Sequence, residues 1–93
     1  MTGREYLWTE EGLTDARRNK VGSDEVDQTL HAPSGLRFER HIGDLLLVVM
    51  GMAESGRVIA VLCDRVERTS TYQIISARPL TGSELDEWRR RVL

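Results

Sequence analysis

Two aliphatic runs with a polar turn between them constrain this chain more than any other feature. Leu45 to Met50 and Arg57 to Cys63 are almost unbroken Leu, Val, Ile and Met, and Ala53-Glu54-Ser55-Gly56 separates them. Short apolar runs joined by a Gly-containing turn form an antiparallel hairpin. The first run, bounded by Gly43-Asp44 and Gly51, reads as a strand buried on both faces. A third run, Tyr72 to Ala77, adds another strand, and Pro79 is expected to stop its ladder because proline lacks the amide donor. Thr81-Gly82-Ser83-Glu84 then opens a helix in capping-box spacing, the Thr81 hydroxyl accepting from the Glu84 amide and the Glu84 carboxylate accepting from the Thr81 amide. Leu85, Trp88 and Val92 share one side of that helix. Trp88 and Leu85 are expected to pack on the sheet with Ile74.

Upstream the pattern is helical. Arg4 to Trp8 suits a short edge strand or an extended lead-in. Thr9-Glu10-Glu11 starts a short helix to about Asn19, its acidic first turn matching the positive end of the helix dipole and Arg17, Arg18 and Lys20 its C-terminal end. Gly12 weakens that first turn. Ser23-Asp24-Glu25 caps a second helix, with Val26 and Leu30 on one face, which Ala32-Pro33-Ser34-Gly35 ends. Leu36, Phe38 and Ile42 follow at strand period with one register slip at His41. Asp64 to Ser70 is a charged connection that can keep some strand at its start. The expected architecture is a single α+β domain over residues 1–93: two short N-terminal helices, an antiparallel meander of three to four strands, and a C-terminal helix.

Composition narrows the function. The net charge is −2, and Lys20 is the sole lysine among 13 basic residues. Nucleic-acid binders draw affinity from phosphate contacts and usually carry a basic excess, so RNA or DNA contact here requires a local arginine cluster. Cys63 is the one cysteine and lies in an apolar run, so it reads as a core residue rather than a nucleophile. Its solitude excludes an internal disulfide and a multi-cysteine zinc site. His31 reads as a helix C-terminal residue and His41 as a strand-end surface residue, with no carboxylate spacing to make either a metal ligand. The segment Gly51 to Gly56 lacks the Lys-Ser/Thr of a phosphate-binding loop. No apolar run is long enough to span a bilayer, and no charged-then-apolar leader opens the chain, so the expectation is a cytoplasmic protein without metal or organic cofactor.

What remains are arginines at strand ends. Arg57 opens one strand, Arg65 follows it, and Arg78 closes the last. If the register brings Arg57 and Arg78 to one edge, with Lys20 beside the helix pair, the cations would stabilise a phosphate during transfer. Alternatively each is a solvated charge or pairs with Glu54, Asp64 or Glu67.

The segments LLLVVMGMAESGRVIAVLC, Asp64-Arg65 and YQIISARPLTGSELDEWRR resemble the body of BrnT-type toxins of the RelE-like superfamily. YLWTEE at Tyr6 to Glu11 and SDEVDQTLHAP at Ser23 to Pro33 are similar to its entry and second-helix patterns. The resemblance implies a bacterial, metal-independent endoribonuclease that cleaves messenger RNA and is neutralised by a cognate antitoxin with a ribbon-helix-helix part. It implies catalytic roles for Lys20, Arg57, Arg65 and Arg78, with Glu54 or Lys20 handling protons. The family's Lys-His-Gly-Val segment is Asn19-Lys20-Val21-Gly22 here, without the histidine. A catalytically silent domain that binds a partner protein is the main alternative, and a nucleic-acid-binding module without turnover a further one.

Overall fold

In a computed structural model describing residues 3–93, the chain runs β1 (Glu5–Trp8), α1 (Glu10–Arg18), α2 (Ser23–Leu30), a 3₁₀ turn (Ser34–Leu36), β2 (Arg37–Ile42), β3 (Leu46–Met52), β4 (Val58–Arg65), β5 (Thr71–Pro79) and α3 (Gly82–Val92). The α+β class and the helix positions agree with the sequence reading. The sheet is larger than expected: five strands in the order β1-β5-β4-β3-β2, mixed because β1 pairs parallel with β5 while β2 to β5 form an antiparallel meander.

Each face has its own core. Leu47, Val49, Ile59, Val61, Cys63, Tyr72, Ile74 and Ala77 pack with Ala16, Val21, Val26 and Leu30 of α1 and α2. On the other face Val58, Ala60 and Leu80 pack with Trp88 of α3, flanked by Phe38, Val48, Met50 and Leu85. Trp88 is 2% exposed and its indole Nε1 donates to the Met50 carbonyl at 3.0 Å. It therefore packs on the sheet as expected, but on the face opposite Ile74, because α3 folds back under the sheet rather than joining the helix pair.

Several local readings change. β3 alternates buried and half-buried residues, whereas β4 opens with four buried residues in succession and is the strand enclosed on both faces. β4 is central in the sheet and lies between the two cores; β3 meets helices mainly on one side. β2 pairs regularly with β3 through His41, so no slip occurs there. The irregularity is a bulge in β5: Leu62 pairs with Ser76 but Cys63 pairs with Ile74, leaving Ile75 extra. β4 extends through Asp64 and Arg65, shortening the expected connection, and the ladder outlasts Pro79 by one bond, from the Leu80 amide to the Val58 carbonyl at 2.8 Å.

The α1–β5 contact turns on Gly12. A Cβ at Gly12 would run into the Ile74 carbonyl, so only glycine lets the helix lie this close. Thr9 caps the helix, accepting from the Gly12 amide at 2.9 Å, and donates to the same Ile74 carbonyl at 2.7 Å. Beyond the short β1, α1 side chains finish the edge of β5. Asp15 accepts from the Ala77 amide at 3.1 Å and the Ser76 hydroxyl at 2.8 Å, and Asn19 donates to the Ala77 carbonyl at 2.9 Å. An edge strand otherwise left with unpaired amides is thereby closed.

Candidate nucleic-acid interface

The four sequence-predicted residues do not converge. Lys20 follows α1 in the left-handed region (φ 58°), exposed, and its carbonyl accepts from Arg57 Nη2 at 2.8 Å. Arg57 also holds Glu25 in a fork, with Nε to Oε2 at 3.0 Å and Nη2 to Oε1 at 2.6 Å. Ser55 Oγ and the Gly22 amide add donors to the Glu25 carboxylate, at 2.8 and 3.1 Å. That cage, with Arg57 as its largest contributor, holds the Glu25 pKa down at about 2. Gly22 rather than Ser23 is the N-cap of α2. Glu54 is exposed in the adjoining turn, its amide donating to Gln28 Oε1 at 2.9 Å.

Arg78 lies on the other face, opposite Ala60. It grips Glu84 in a bidentate pair with both bonds at 2.8 Å. This pair replaces the expected capping box, and Thr81 makes no side-chain cap bond. Gly82, at φ 59°, turns the chain out of helical geometry just where the box requires it, and a two-point arginine fork outweighs a single bond from a backbone amide. The partners of Arg57 and Arg78 are therefore Glu25 and Glu84, not Glu54, Asp64 or Glu67.

Arg65 stands at the far end of β4 from Arg57, eight residues and roughly 26 Å away at strand spacing. It faces the helix side with Tyr72, its register partner. Its Nε is buried and has no hydrogen-bond partner among the described residues. From this end of the face to the C-terminal end of α2, a second group of residues assembles. The Arg4 guanidinium lies 5.5 Å from the Tyr72 ring centroid and donates to the Tyr6 hydroxyl at 3.3 Å. Tyr6 stands 5.9 Å from Tyr72 and meets His31 edge-on at 6.0 Å. Glu39 Oε2 lies 2.7 Å from Arg4 and 3.4 Å from Arg37, which also donates to the Leu30 and Ala32 carbonyls at the end of α2. His41 is on the same face as Glu39, two residues on.

The group forms a shelf over Cys63, whose thiol is fully buried and pushed up to about 12 by that burial. Burial also raises the Tyr6 phenol, against the opposing effect of Arg4. Arg4, Tyr6, Tyr72 and Glu39 thus meet, with Arg65 beside Tyr72 and Arg37 on the far side of Glu39, a local basic excess on a chain of net −2. Of the shelf, sequence reasoning named only Arg65. Arg4, Tyr6, Arg37, Glu39 and Tyr72 come from three other strands, and strand parity was the signal that could have grouped them. Among the described residues no cluster of three metal-ligating side chains occurs, and no helix is long and apolar enough to cross a membrane. No protein-family model matches the chain, nor does any curated protein.

Proposed function

We propose that this chain is a metal-independent endoribonuclease of the BrnT type in a RelE-like fold, and that the arginine–tyrosine shelf is where it holds RNA. The observation that carries the reading is the juxtaposition of Arg4 and Arg65 with the Tyr6 and Tyr72 rings at one end of one sheet face, with Glu39 linking Arg4 to Arg37 farther along the same face. Guanidinium groups suit phosphate and phenol rings suit unstacked bases, the pairing by which single-stranded RNA is held. The α+β class agrees with what the resemblance implies, and Arg65 is the residue common to both lines of argument.

In the proposed reaction the RNA 2′-hydroxyl attacks the adjacent phosphorus and the bond to the 5′ oxygen breaks. The products are a 2′,3′-cyclic phosphate and a free 5′-hydroxyl. Arg65 and Arg4 carry the charge that builds on the phosphorane oxygens. The 2′ proton must be removed and one returned to the leaving oxygen, and His31, 6.0 Å from Tyr6, and His41, on the same face, are the side chains suited to that relay.

The test is incubation of labelled single-stranded RNA with the protein in the presence of chelator. Cleavage with cyclic-phosphate ends is expected, falling about 10²-fold in Arg65→Ala and unchanged in Arg78→Ala, with the fold checked by circular dichroism. A cognate ribbon-helix-helix antitoxin, encoded beside the protein in a bacterial cytoplasm, is expected to abolish it. No cleavage of any RNA, together with no growth arrest on expression, would sink the reading.

One observation favours a second reading. Arg57 and Arg78, which the resemblance assigns to the phosphate, are both held in bidentate carboxylate pairs. A silent domain that binds a partner protein accounts for that arrangement, and the absence of cleavage would leave it standing.

A further inference from the structure

The α3 side of the sheet is only half covered. α3 lies over the end holding Phe38, Met50, Val58 and Ala60. From the edge of that core, where Val48 still packs, the register sets out an open surface. Val48 stands between Arg40 on β2 and Leu62 on β4, and Leu46 stands between Ile42 on β2 and Asp64 on β4. Strands are about 4.8 Å apart and same-face residues about 6.6 Å apart along a strand. Ile42, Leu46, Val48 and Leu62 therefore form a diagonal apolar stripe, with Arg40 on one flank and Asp64 on the other. Ile42 is 49% exposed and the other three are half-buried. Leu7, on the same face at the far side of the sheet, is also exposed. Neither Arg40 nor Asp64 takes part in an ion pair among the described residues.

This layout is self-complementary. A two-fold axis lying in the contact plane along the stripe turns the stripe onto its own copy. The same rotation exchanges the two flanks, so each Arg40 comes over the Asp64 of the other copy. An isologous interface needs this property, a patch that fits itself with charges exchanged across the axis. An unlike partner would not require opposite charges set symmetrically about an apolar line. We propose that the open half of this face is a homodimer interface, formed by the Ile42–Leu46–Val48–Leu62 stripe and two reciprocal Arg40–Asp64 pairs. It is independent of the RNA reading, because the shelf lies on the opposite face and stays open in the dimer.

Sedimentation equilibrium of the full chain from about 1 to 500 μM tests it, against a monomer mass of 10.6 kDa. A reversible dimer is expected. Arg40→Asp and Asp64→Arg should each weaken it at least about tenfold through like-charge opposition, and the double exchange should recover most of the loss. Val48→Lys should abolish the dimer, and Arg40→Gln, a milder change at an exposed position, should weaken it without endangering the fold. A wild-type protein that stays monomeric throughout overturns the proposal. So does a dimer indifferent to Arg40→Asp and Val48→Lys, or a double variant no better than its singles. A monomer that binds an unlike protein through this face counts against it equally.

Discussion

Arg57 and Arg65 stand at the two ends of one strand and face the same side of the sheet, yet their surroundings differ completely. At the Arg57 end the guanidinium is forked onto Glu25, α2 covers the strand, and α1 threads its polar side chains into the edge of β5. At the Arg65 end no helix carboxylate reaches the guanidinium, one of its nitrogens is buried without a partner among the described residues, and Tyr72, Tyr6 and Arg4 gather instead. The comparison teaches that a strand-end arginine is defined by what covers it. Where a helix supplies a carboxylate, the charge ties elements together; where none arrives, it remains available to a ligand.

The sharpest attack on the closed end is Gly12→Ala. In an exposed helix this change would stabilise by about 1 kcal/mol. Against the Ile74 carbonyl it should instead cost about 3 kcal/mol, the upper part of the range for overpacking. For a domain of this size that corresponds to a Tm lower by roughly 12–24 °C in thermal unfolding followed by circular dichroism. A higher Tm would mean that α1 is not seated on β5 as described. Arg57→Ala should cost about 2 kcal/mol in urea denaturation, because it strips Glu25 and the Lys20 carbonyl of their charged donor together.

Acid should loosen the same end. Glu25 has its folded pKa depressed to about 2 from an ordinary 4.5, so its contribution is fully present above about pH 4.5 and drains away as pH falls toward 2. Glu25→Gln should flatten that part of the Tm-against-pH curve, and an unchanged curve would refute the cage around Glu25. The smallest effect is expected at the open end. Arg65→Ala should cost about 1 kcal/mol or less, below the loss at Arg57, while removing RNA affinity. A large loss of stability there would show Arg65 to be a structural residue and erase the contrast between the two ends.

Helix and strand positions were legible because period and capping residues are local. Thr9 caps α1, and the Leu45–Cys63 hairpin and the Tyr72–Ala77 strand stand where their apolar runs announce them. What was hidden depended on register or on competition between partners. Glu84 had two uses available, the cap of its own helix and the fork of Arg78, and only the Gly82 backbone decides between them. Gly12 reads as a weakness until the nearness of β5 is known. The shelf was illegible because its members arise from four strands far apart in the chain, each unremarkable alone, and because β1 joins β5 in parallel through a pairing that no short-range pattern signals.

The extra residue in β5 has an effect reaching well beyond its own bond pattern. Before Ile75 the even-numbered residues of β5, Tyr72 and Ile74, look toward the helix pair; after it the odd-numbered Ala77 does. With an unbroken ladder Arg78 would stand opposite Ile59, on the helix side and one diagonal step, about 7–8 Å, from Arg57. The two cations would then compete for Glu25, and Glu84 would be left alone on the far side. The bulge works as a phase shifter: half a pleat of offset sends two like charges to opposite faces and lets each helix layer have its own arginine.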